Sequence, residues 1–237
     1  MAAISEDRIM KPVVRLTLKA AACRANVLLV GECGVGKAFL ARRMHASSPF
    51  AGGEFHTMFC IPDDGAADDL VGRLEALEAK PGTAYIRDVD LLGAYGQRKL
   101  LAYLDAREAR TRNGSGQVRN RIVFSSHSDL RLESLRGKYM SQLYLRLSVI
   151  TIDVPPLRRR GSDIVTLARH FVDLYSNRER KDVGGLSNDA EFFLKHRAWD
   201  GNIHELQNAM NRAVVLAEEG QLLDTDLLEG VLTETAV

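Results

Sequence analysis

The stretch of sequence that decides the fold is Val27-Leu28-Leu29-Val30-Gly31-Glu32-Cys33-Gly34-Val35-Gly36-Lys37. Its four apolar residues predict a buried strand, a glycine-rich turn follows, and Lys37 opens a helical run, Ala38 to His45. This order of strand, loop and helix is the context that a phosphate-binding loop requires. Glycines allow backbone N–H groups to face phosphates, the helix N-terminus adds partial positive charge, and Lys37 supplies a point charge.

The loop matches the pattern G-x-x-x-x-G-K at Gly31, Gly36 and Lys37 but departs from it at the next position. Ala38 has no hydroxyl to offer Mg²⁺. The bare pattern arises by chance in roughly one chain in fifteen of this length, but the strand before it and the helix after it argue against chance. The candidate cofactor-binding residues of the loop are therefore Gly31, Glu32, Cys33, Gly34, Val35, Gly36, Lys37 and Ala38.

The composition is typical of a globular protein without a membrane span. The chain has 237 residues, of which 46% are hydrophobic and 27% are charged. No apolar run approaches the ~20 residues of a membrane helix, and the acidic N-terminus does not read as a signal peptide. Cys23, Cys33 and Cys60 have no C-x-x-C spacing, which favours a reducing cytoplasm over a disulfide or zinc framework. A net charge of +1 gives no global argument for nucleic-acid binding.

Strand and helix patterns alternate as far as Val154. Strand patterns recur at residues 55–61, 83–86, 121–126 and 149–154, with helical periods between them. Such alternation predicts a parallel sheet covered by helices on both faces. After Pro156 no strand pattern returns, and three helical stretches predict a small all-helical lid: residues 163–174, 189–195 and 203–217. The predicted domains are an α/β nucleotide-binding domain at residues 1–160 and a helical lid at residues 161–237.

Two local patterns lead to narrower predictions. Asn202, with Glu205 three residues later, predicts a capping box at the start of the last lid helix. The stretch from Arg107 to Arg121 is rich in glycine, asparagine and arginine and predicts a surface loop. A nucleic-acid contact is the alternative there, but no aromatic residues interleave to stack on bases.

With these elements in place, the chain resembles the AAA+ ATPase domain of bacterial sigma-54-dependent transcription activators, also called enhancer-binding proteins. The resemblance runs from about Lys11 to Leu228. It rests on the glycine-rich loop, on Gly82-Thr83, and on four further stretches, which are Phe55–Cys60, Ser125-Ser126-His127-Ser128-Asp129-Leu130, Val154-Pro155-Pro156-Leu157-Arg158-Arg159-Arg160 and Trp199-Asp200-Gly201-Asn202-Ile203-His204-Glu205-Leu206. It implies a P-loop AAA+ domain followed by a helical lid, ATP or ADP as the ligand, ring oligomers, and ATP-driven remodelling of RNA polymerase that carries this sigma factor.

The resemblance also implies site residues, and this chain departs from the family at the end of the third strand. The family has Asp-Glu there, which hold Mg²⁺ and orient the attacking water, and this chain has Arg87 and Asp88. A guanidinium cannot ligate Mg²⁺ but can pair with phosphate, which makes Arg87 a candidate nucleotide contact. Asp88 takes the catalytic position. A one-residue slip, which would reverse every side chain on the strand, makes Asp88 a candidate magnesium ligand instead.

Further departures affect nucleotide sensing. The asparagine that switches the family's catalytic glutamate is matched by Phe59, and the family's sensor asparagine by His127. The sensor arginine of the lid is matched by His204, so His127 and His204 are candidate nucleotide contacts. Two arginines of the family reach the nucleotide of a neighbouring subunit. Met140 matches the first and Arg146 the second, which makes Arg146 a candidate catalytic group in trans.

The parts that carry the output of the family are reduced as well. The loop that grips the sigma factor is absent, because Leu70-Val71-Gly72 runs almost directly to Pro81-Gly82-Thr83, and no room is left before Val237 for a helix-turn-helix DNA-binding domain. Losing one placed charge often costs ~10²–10³-fold in rate. We therefore predict an ATP-binding pseudo-ATPase that regulates transcription through a related AAA+ activator or another regulator, as a homo- or hetero-oligomer, with Mg²⁺ left open. A slow ATPase of the activator class and a nucleotide-free scaffold are the alternatives.

Overall fold

The computed structural model of the protein describes residues 7–113 and 118–233. Its contacts divide the chain into two compact units. The sheet unit combines residues 13–31 with 36–154, and the helical unit combines residues up to 12, 32–35 and 155 onwards. Residues 32–35 of the glycine-rich loop thus belong to the same unit as the C-terminal helices. The two units therefore cannot be separated by a single cut along the chain. The boundary between residues 160 and 161 stays a prediction.

The sheet unit contains five parallel strands in the order β2-β3-β4-β1-β5. The strands are β1 (Val27–Val30), β2 (Glu54–Phe59), β3 (Gly82–Arg87), β4 (Asn120–Ser126) and β5 (Ile150–Asp153). Leu28, Ile86 and Phe124 are buried at the centre of the sheet, where runs of apolar residues are typical of strands covered on both faces. The predicted α/β fold is confirmed. Because the strands are parallel, the loops that follow β1, β3 and β4 emerge at one edge of the sheet.

Six helices accompany these strands among the residues described up to Asp153. They are α1 (Met10–Ala21), α2 (Lys37–Ala46), α3 (Asp64–Leu77), α4 (Ala94–Arg112), α5 (Leu130–Leu135) and α6 (Ser141–Leu147). α3 begins at Asp64, because the carboxylate of Asp63 accepts a hydrogen bond from Ala66 N at 2.8 Å and caps the helix. Between β4 and β5 the chain forms two short helices, α5 and α6, with Gly137 in a left-handed conformation between them.

The arginine-rich stretch predicted as a loop is largely regular structure, although residues 114–117 lie outside the described part. α4 continues to Arg112, and Arg110 on this helix pairs with Glu78 at 2.8 Å. Arg121 lies on β4 with no exposed surface, and its guanidinium donates to two backbone carbonyls at the end of α1. The prediction of a surface loop was wrong for Arg110, which lies on α4, whereas Arg121 lies on the strand that the pattern at residues 121–126 predicted.

The helical unit contains α7 (Gly161–Glu179), α8 (Asn188–His196), α9 (Asn202–Leu216) and α10 (Thr225–Thr233). Trp199 is buried in its core, and the indole N–H donates to Leu194 O at 2.8 Å. We expected three helices, and the described residues contain a fourth, α10, whose apolar face is buried. No helix in residues 7–113 and 118–233 combines the length and the apolar character needed to span a membrane.

The capping box predicted at the start of α9 is only half formed. The Glu205 carboxylate accepts a hydrogen bond from Gly201 N at 2.9 Å, as a capping glutamate does. Asn202 itself has a φ of 55° and begins the helix, so its side chain does not act as the cap. Its amide oxygen instead accepts from Leu157 N at 2.8 Å, which ties α9 to the turn before α7.

Candidate functional site

The glycine-rich loop joins β1 to α2 through backbone conformations that glycine favours. Gly31, Gly34 and Gly36 all have positive φ, with values of 154°, 76° and 101°. Two features oppose a side chain at Gly34. Its φ is positive, and an added Cβ would lie 2.3 Å from the carbonyl oxygen of Gly201. The loop therefore has the glycine-dependent shape that the sequence pattern predicted.

Three successive carbonyls of the loop accept hydrogen bonds within the helical unit. The contacts join Cys33 O with Asn202 Nδ2 at 2.9 Å, Gly34 O with Ile203 N at 3.1 Å, and Val35 O with Arg160 Nη2 at 2.9 Å. In a trans peptide the C=O and the next N–H point in opposite directions. The N–H groups of residues 34–36 are therefore directed away from these donors. Successive N–H groups facing one side form a concavity suited to an anion such as phosphate.

The second residue of the loop, Glu32, has a fixed carboxylate. Both guanidinium nitrogens of Arg158 contact it, at 2.8 and 2.6 Å, and Asn202 Nδ2 contacts it at 3.1 Å. The sequence marks Arg158 only as part of the stretch Val154 to Arg160 that carries the resemblance, and it does not connect this residue to the loop. The partners are 126 residues apart, so no local spacing pattern could have revealed the pair.

Lys37 begins α2 and is almost fully buried, with 7% of its surface exposed. Its ammonium group donates to Gly31 O at 2.5 Å, so the charge lies against the carbonyl that opens the loop. Ala38 follows on α2 and offers no side-chain oxygen. Within the sheet unit, the lysine is therefore held where the strand meets the loop.

At the carboxyl end of β3, two of the residues that depart from the family pattern contact each other. Arg87 is the last residue of β3 and is paired in register with Phe59 on β2. The Arg87 guanidinium carbon lies 4.8 Å from the centroid of the Phe59 ring, which is a cation–π geometry. Arg87 Nε also lies 3.9 Å from Asp88 Oδ2. The guanidinium is thus oriented by an aromatic face and a neighbouring carboxylate.

Asp88 follows β3 directly and faces the end of β4. It adopts a left-handed conformation with φ 62° and ψ 44°, and Asp88 Oδ1 lies 3.4 Å from His127 Nε2. These two atoms are buried, and neither forms a hydrogen bond within the described residues. Asp90 accepts from His127 N at 3.2 Å, which holds the backbone of the histidine. The structure thus brings Arg87, Asp88 and His127 together.

Buried Cys60 lies behind this cluster. Burial, together with the negative charges of Asp88 and Asp90, raises the pKa of its thiol to about 12. Cys33, in the loop, is exposed instead. The two cysteines therefore differ strongly in exposure, which the sequence alone does not show.

The donor set at the end of β3 does not fit Mg²⁺ held in the manner of the family. Mg²⁺ requires oxygen ligands in near-octahedral geometry. Ala38 has no oxygen on its side chain, Arg87 stands where the resemblance implies a metal-binding carboxylate, and Asp88 is already close to two basic groups. No group of three or more histidine, cysteine or acidic residues in the described ranges could hold a metal ion. Asp88 as a magnesium ligand stays a prediction.

The two remaining candidates lie in different units. His204 is in the first turn of α9, and its Cβ lies 3.3 Å from the position that a Cβ on Gly34 would occupy. Arg146 lies on α6 in the sheet unit, where it pairs with Asp105 at 2.8 Å and with Glu108 at 2.5 Å, both on α4. Within its own chain, Arg146 is therefore held by two carboxylates. Its action in trans stays a prediction.

Comparison with known proteins identifies related sequences. A family model described as the sigma-54 interaction domain matches residues 9–157, and an AAA+ ATPase lid domain model matches residues 158–236. The transcriptional regulatory protein ZraR of Klebsiella oxytoca is 37% identical over 231 residues, which cover 90% of this chain and 52% of that protein. The nitrogen fixation protein AnfA of Azotobacter vinelandii is 34% identical, over 91% of this chain and 44% of that protein. The chain thus spans about half the length of the curated relatives that it matches.

Solved structures show the same fold. The crystal structure of NtrX from Brucella abortus in complex with ATP has a TM-score of 0.81 and 25% sequence identity, and covers 98% of this chain and 57% of that chain. The NtrX structure in complex with ADP has a TM-score of 0.77 at 22% identity. These matches confirm the resemblance that the loop, the paired prolines and the Trp199–Leu206 stretch predicted. The chain therefore belongs to the sigma-54 interaction domain family, the AAA+ domain family of sigma-54-dependent transcription activators.

Proposed function

We propose that this chain is the nucleotide-binding AAA+ module of a bacterial transcription regulator, which binds ATP or ADP and hydrolyses ATP negligibly. One observation carries the proposal. The loop retains its glycines, its outward carbonyls and Lys37, whereas the end of β3 presents a guanidinium at the position of a metal-binding carboxylate. Groups that bind phosphate are thus present, and groups that activate its transfer are altered.

Binding is supported by the geometry of the loop. The N–H groups of residues 34–36 are directed to one side, and Lys37 supplies a charge at the start of α2. Arg87, His127 and His204 are proposed as further nucleotide contacts, with Arg87 offsetting part of the phosphate charge that Mg²⁺ neutralises in the family. NtrX, which shares the fold, has been crystallised with ATP and with ADP.

Negligible hydrolysis is supported by the charges around Asp88. Phosphoryl transfer depends on placed charges and on an oriented water, and losing one such group often costs ~10²–10³-fold in rate. Asp88 is shorter than the glutamate of the family, and its carboxylate faces Arg87 and His127. A carboxylate held by two basic groups is a weaker partner for water.

The output is proposed to be a protein contact. ZraR, one of the relatives, is described as a transcriptional regulatory protein, but in this chain α3 leads to β3 without the loop that grips the sigma factor. We therefore propose a related AAA+ activator or another transcription regulator as the partner in the cytoplasm, within a homo- or hetero-oligomer.

In a mixed ring, Arg146 would leave Asp105 and Glu108 to reach a neighbour's nucleotide. Arg146→Ala should then reduce ATP turnover by an active relative, whereas Arg73→Ala on α3 should not.

The proposal is tested by calorimetric titration of ATP and ADP, with and without Mg²⁺. We expect micromolar binding that survives removal of Mg²⁺ and is lost in Lys37→Ala. Lys19→Ala, an exposed lysine of α1, is the matched control and should bind as the wild type does. If the wild type binds neither ATP nor ADP, the proposal fails, and only the alternative of a nucleotide-free scaffold is left.

A slow ATPase is the second candidate, and one observation favours it. Asp88 Oδ1 is buried and forms no hydrogen bond within the described residues, so this oxygen still lacks the partner that a metal ion would supply. If Asp88 holds a metal, phosphate release should depend on Mg²⁺ and disappear in Asp88→Asn. The pseudo-ATPase predicts no release in either protein.

A further inference from the structure

We propose that Arg158 is a positioning residue of the glycine-rich loop. Its guanidinium neutralises the Glu32 carboxylate and holds it on the side opposite the phosphates. The inference rests on the proposed nucleotide binding, because it states what this loop needs in order to accept a polyphosphate. Arg158 does not contact the nucleotide in this account and acts through Glu32.

A carboxylate in this loop poses an electrostatic problem. Glu32 follows Gly31 just after the end of β1 and lies two residues before the N–H groups of residues 34–36. A carboxylate that turned toward those N–H groups would compete with a phosphate for them and would repel its charge. The repulsion grows with the number of phosphate charges. The loop can bind a nucleotide well only if this carboxylate is held elsewhere.

The contacts of Glu32 provide that restraint. Arg158 binds the carboxylate with two guanidinium nitrogens, at 2.8 and 2.6 Å, which is the bidentate geometry that fixes both distance and plane. Asn202 Nδ2 adds a contact at 3.1 Å. The same Asn202 nitrogen donates to Cys33 O. Because the loop carbonyls face their donors on this side, the Glu32 carboxylate lies opposite the N–H groups of residues 34–36.

Asn202, which also contacts the Glu32 carboxylate, helps to position Arg158. Arg158 lies in the short turn Leu157–Arg159, and the first N–H of this turn donates to Asn202 Oδ1 at 2.8 Å. Asn202 is fully buried, so its amide orientation is determined by these partners. One amide therefore holds the loop with its nitrogen and the turn that carries Arg158 with its oxygen. Glu32, Arg158 and Asn202 all belong to the helical unit.

The experiment measures ATP, ADP and AMP affinities, without Mg²⁺, for Arg158→Ala and for the double variant with Glu32→Gln. Arg158→Ala should weaken ATP binding about 10-fold, ADP binding less, and AMP binding least, because the uncompensated carboxylate repels each in proportion to its charge. Adding Glu32→Gln should restore ATP affinity to within about 3-fold of the wild type, because no charge then needs neutralising. Arg159→Ala, an exposed neighbour in the same turn, changes the net charge equally and should leave affinity unchanged.

Three results would overturn the inference. ATP affinity could be unchanged in Arg158→Ala, the double variant could bind as weakly as Arg158→Ala, or all three nucleotides could lose affinity equally, which indicates a packing defect. Arg158→Gln retains hydrogen-bonding capacity without the charge, and it must lose nucleotide affinity in the same pattern as Arg158→Ala. Thermal melting must show that each variant is folded. If the wild type binds no nucleotide, the proposed function fails and this inference fails with it. If the wild type binds but the variants match it, only the inference fails.

Discussion

The phosphate loop and the carboxyl end of β3 differ in the kind of group that defines them. In the loop, the defining groups belong to the backbone: glycines with positive φ, and carbonyls that accept from Asn202, Ile203 and Arg160. At the end of β3, the defining groups are charged side chains, with Arg87 stacked on Phe59 and Asp88 beside His127. The loop keeps the family pattern except at Ala38, and the strand end departs from it at each of these four residues.

The difference is the reason why we propose that nucleotide binding persists although the catalytic groups change. Backbone N–H groups bind an anion whatever the neighbouring side chains are, provided that glycines allow the conformation. Catalysis needs particular charges at particular atoms. The substituted residues at the strand end contact each other in pairs, so each new side chain has a partner in the fold. The predictions below test each side of this contrast, and they run from the largest expected effect to the smallest.

Lys37→Ala should abolish most nucleotide binding. A charge-assisted hydrogen bond contributes about 1.5–3 kcal/mol, so removal of the ammonium should weaken ATP binding about 10- to 100-fold. Calorimetry on Lys37→Ala and on the Lys19→Ala control measures this directly. Equal affinities in both variants would show that the loop is not the binding site.

Gly34→Ala should damage the loop without removing any charge. A positive φ and an approach of 2.3 Å to Gly201 O both oppose a Cβ, and such strain costs about 1–3 kcal/mol of the free energy of unfolding. Thermal melting should show a lower Tm and calorimetry a weaker ATP affinity. Gly72→Ala is the matched control, because Gly72 lies on α3 in open space and alanine there should stabilise the helix slightly. A neutral Gly34→Ala would contradict the described loop.

Arg87→Ala should weaken metal-free ATP binding about 10-fold if its guanidinium offsets phosphate charge. The effect should shrink when Mg²⁺ is added, because the ion supplies charge that the variant lacks. Arg73→Ala, in a surface pair with Asp69, is the control. If Arg87→Ala binds ATP as tightly as the wild type in the absence of Mg²⁺, the guanidinium takes no part in binding.

The two cysteines allow chemical labelling to compare the regions. Burial raises the pKa of Cys60 to about 12, so at neutral pH almost none of this thiol is ionised and it should resist alkylation until the protein unfolds. Exposed Cys33 should react quickly, and ATP should slow the reaction several-fold by covering the loop. The assay belongs in a Cys23→Ser background. Labelling of Cys33 that ATP does not affect would argue against a nucleotide beside residues 31–37.

The sequence predicted those parts of the fold that depend on neighbouring residues. The strand, the glycine-rich loop and α2 were read correctly because each depends on a run of adjacent residues. The start of α3 was missed because the capping Asp63 sits in an acidic stretch that looks like a loop. α10 was missed because its short apolar face becomes evident only where it packs against the other helices.

Contacts between distant residues could not be predicted in this way. Asn202 was assigned to a capping box because Glu205 follows at the right spacing, but its oxygen binds Leu157, 45 residues away. Arg121 lies where the predicted loop meets the strand predicted at residues 121–126, but neither pattern shows that carbonyls about 100 residues away hold it inside the sheet unit. A spacing pattern reports only nearby partners, so the Arg158 contact to the loop also required the structure.

The contrast between a retained loop and an altered strand end is tested most directly by the fate of bound nucleotide. The protein is dialysed to equilibrium against ATP and Mg²⁺, and the nucleotide in the protein compartment is identified and quantified. The account predicts an excess of intact ATP in the compartment of the wild type and a much smaller excess with Lys37→Ala. Conversion to ADP, with phosphate release that disappears in Asp88→Asn, would contradict it, as would a wild type that binds no excess of nucleotide.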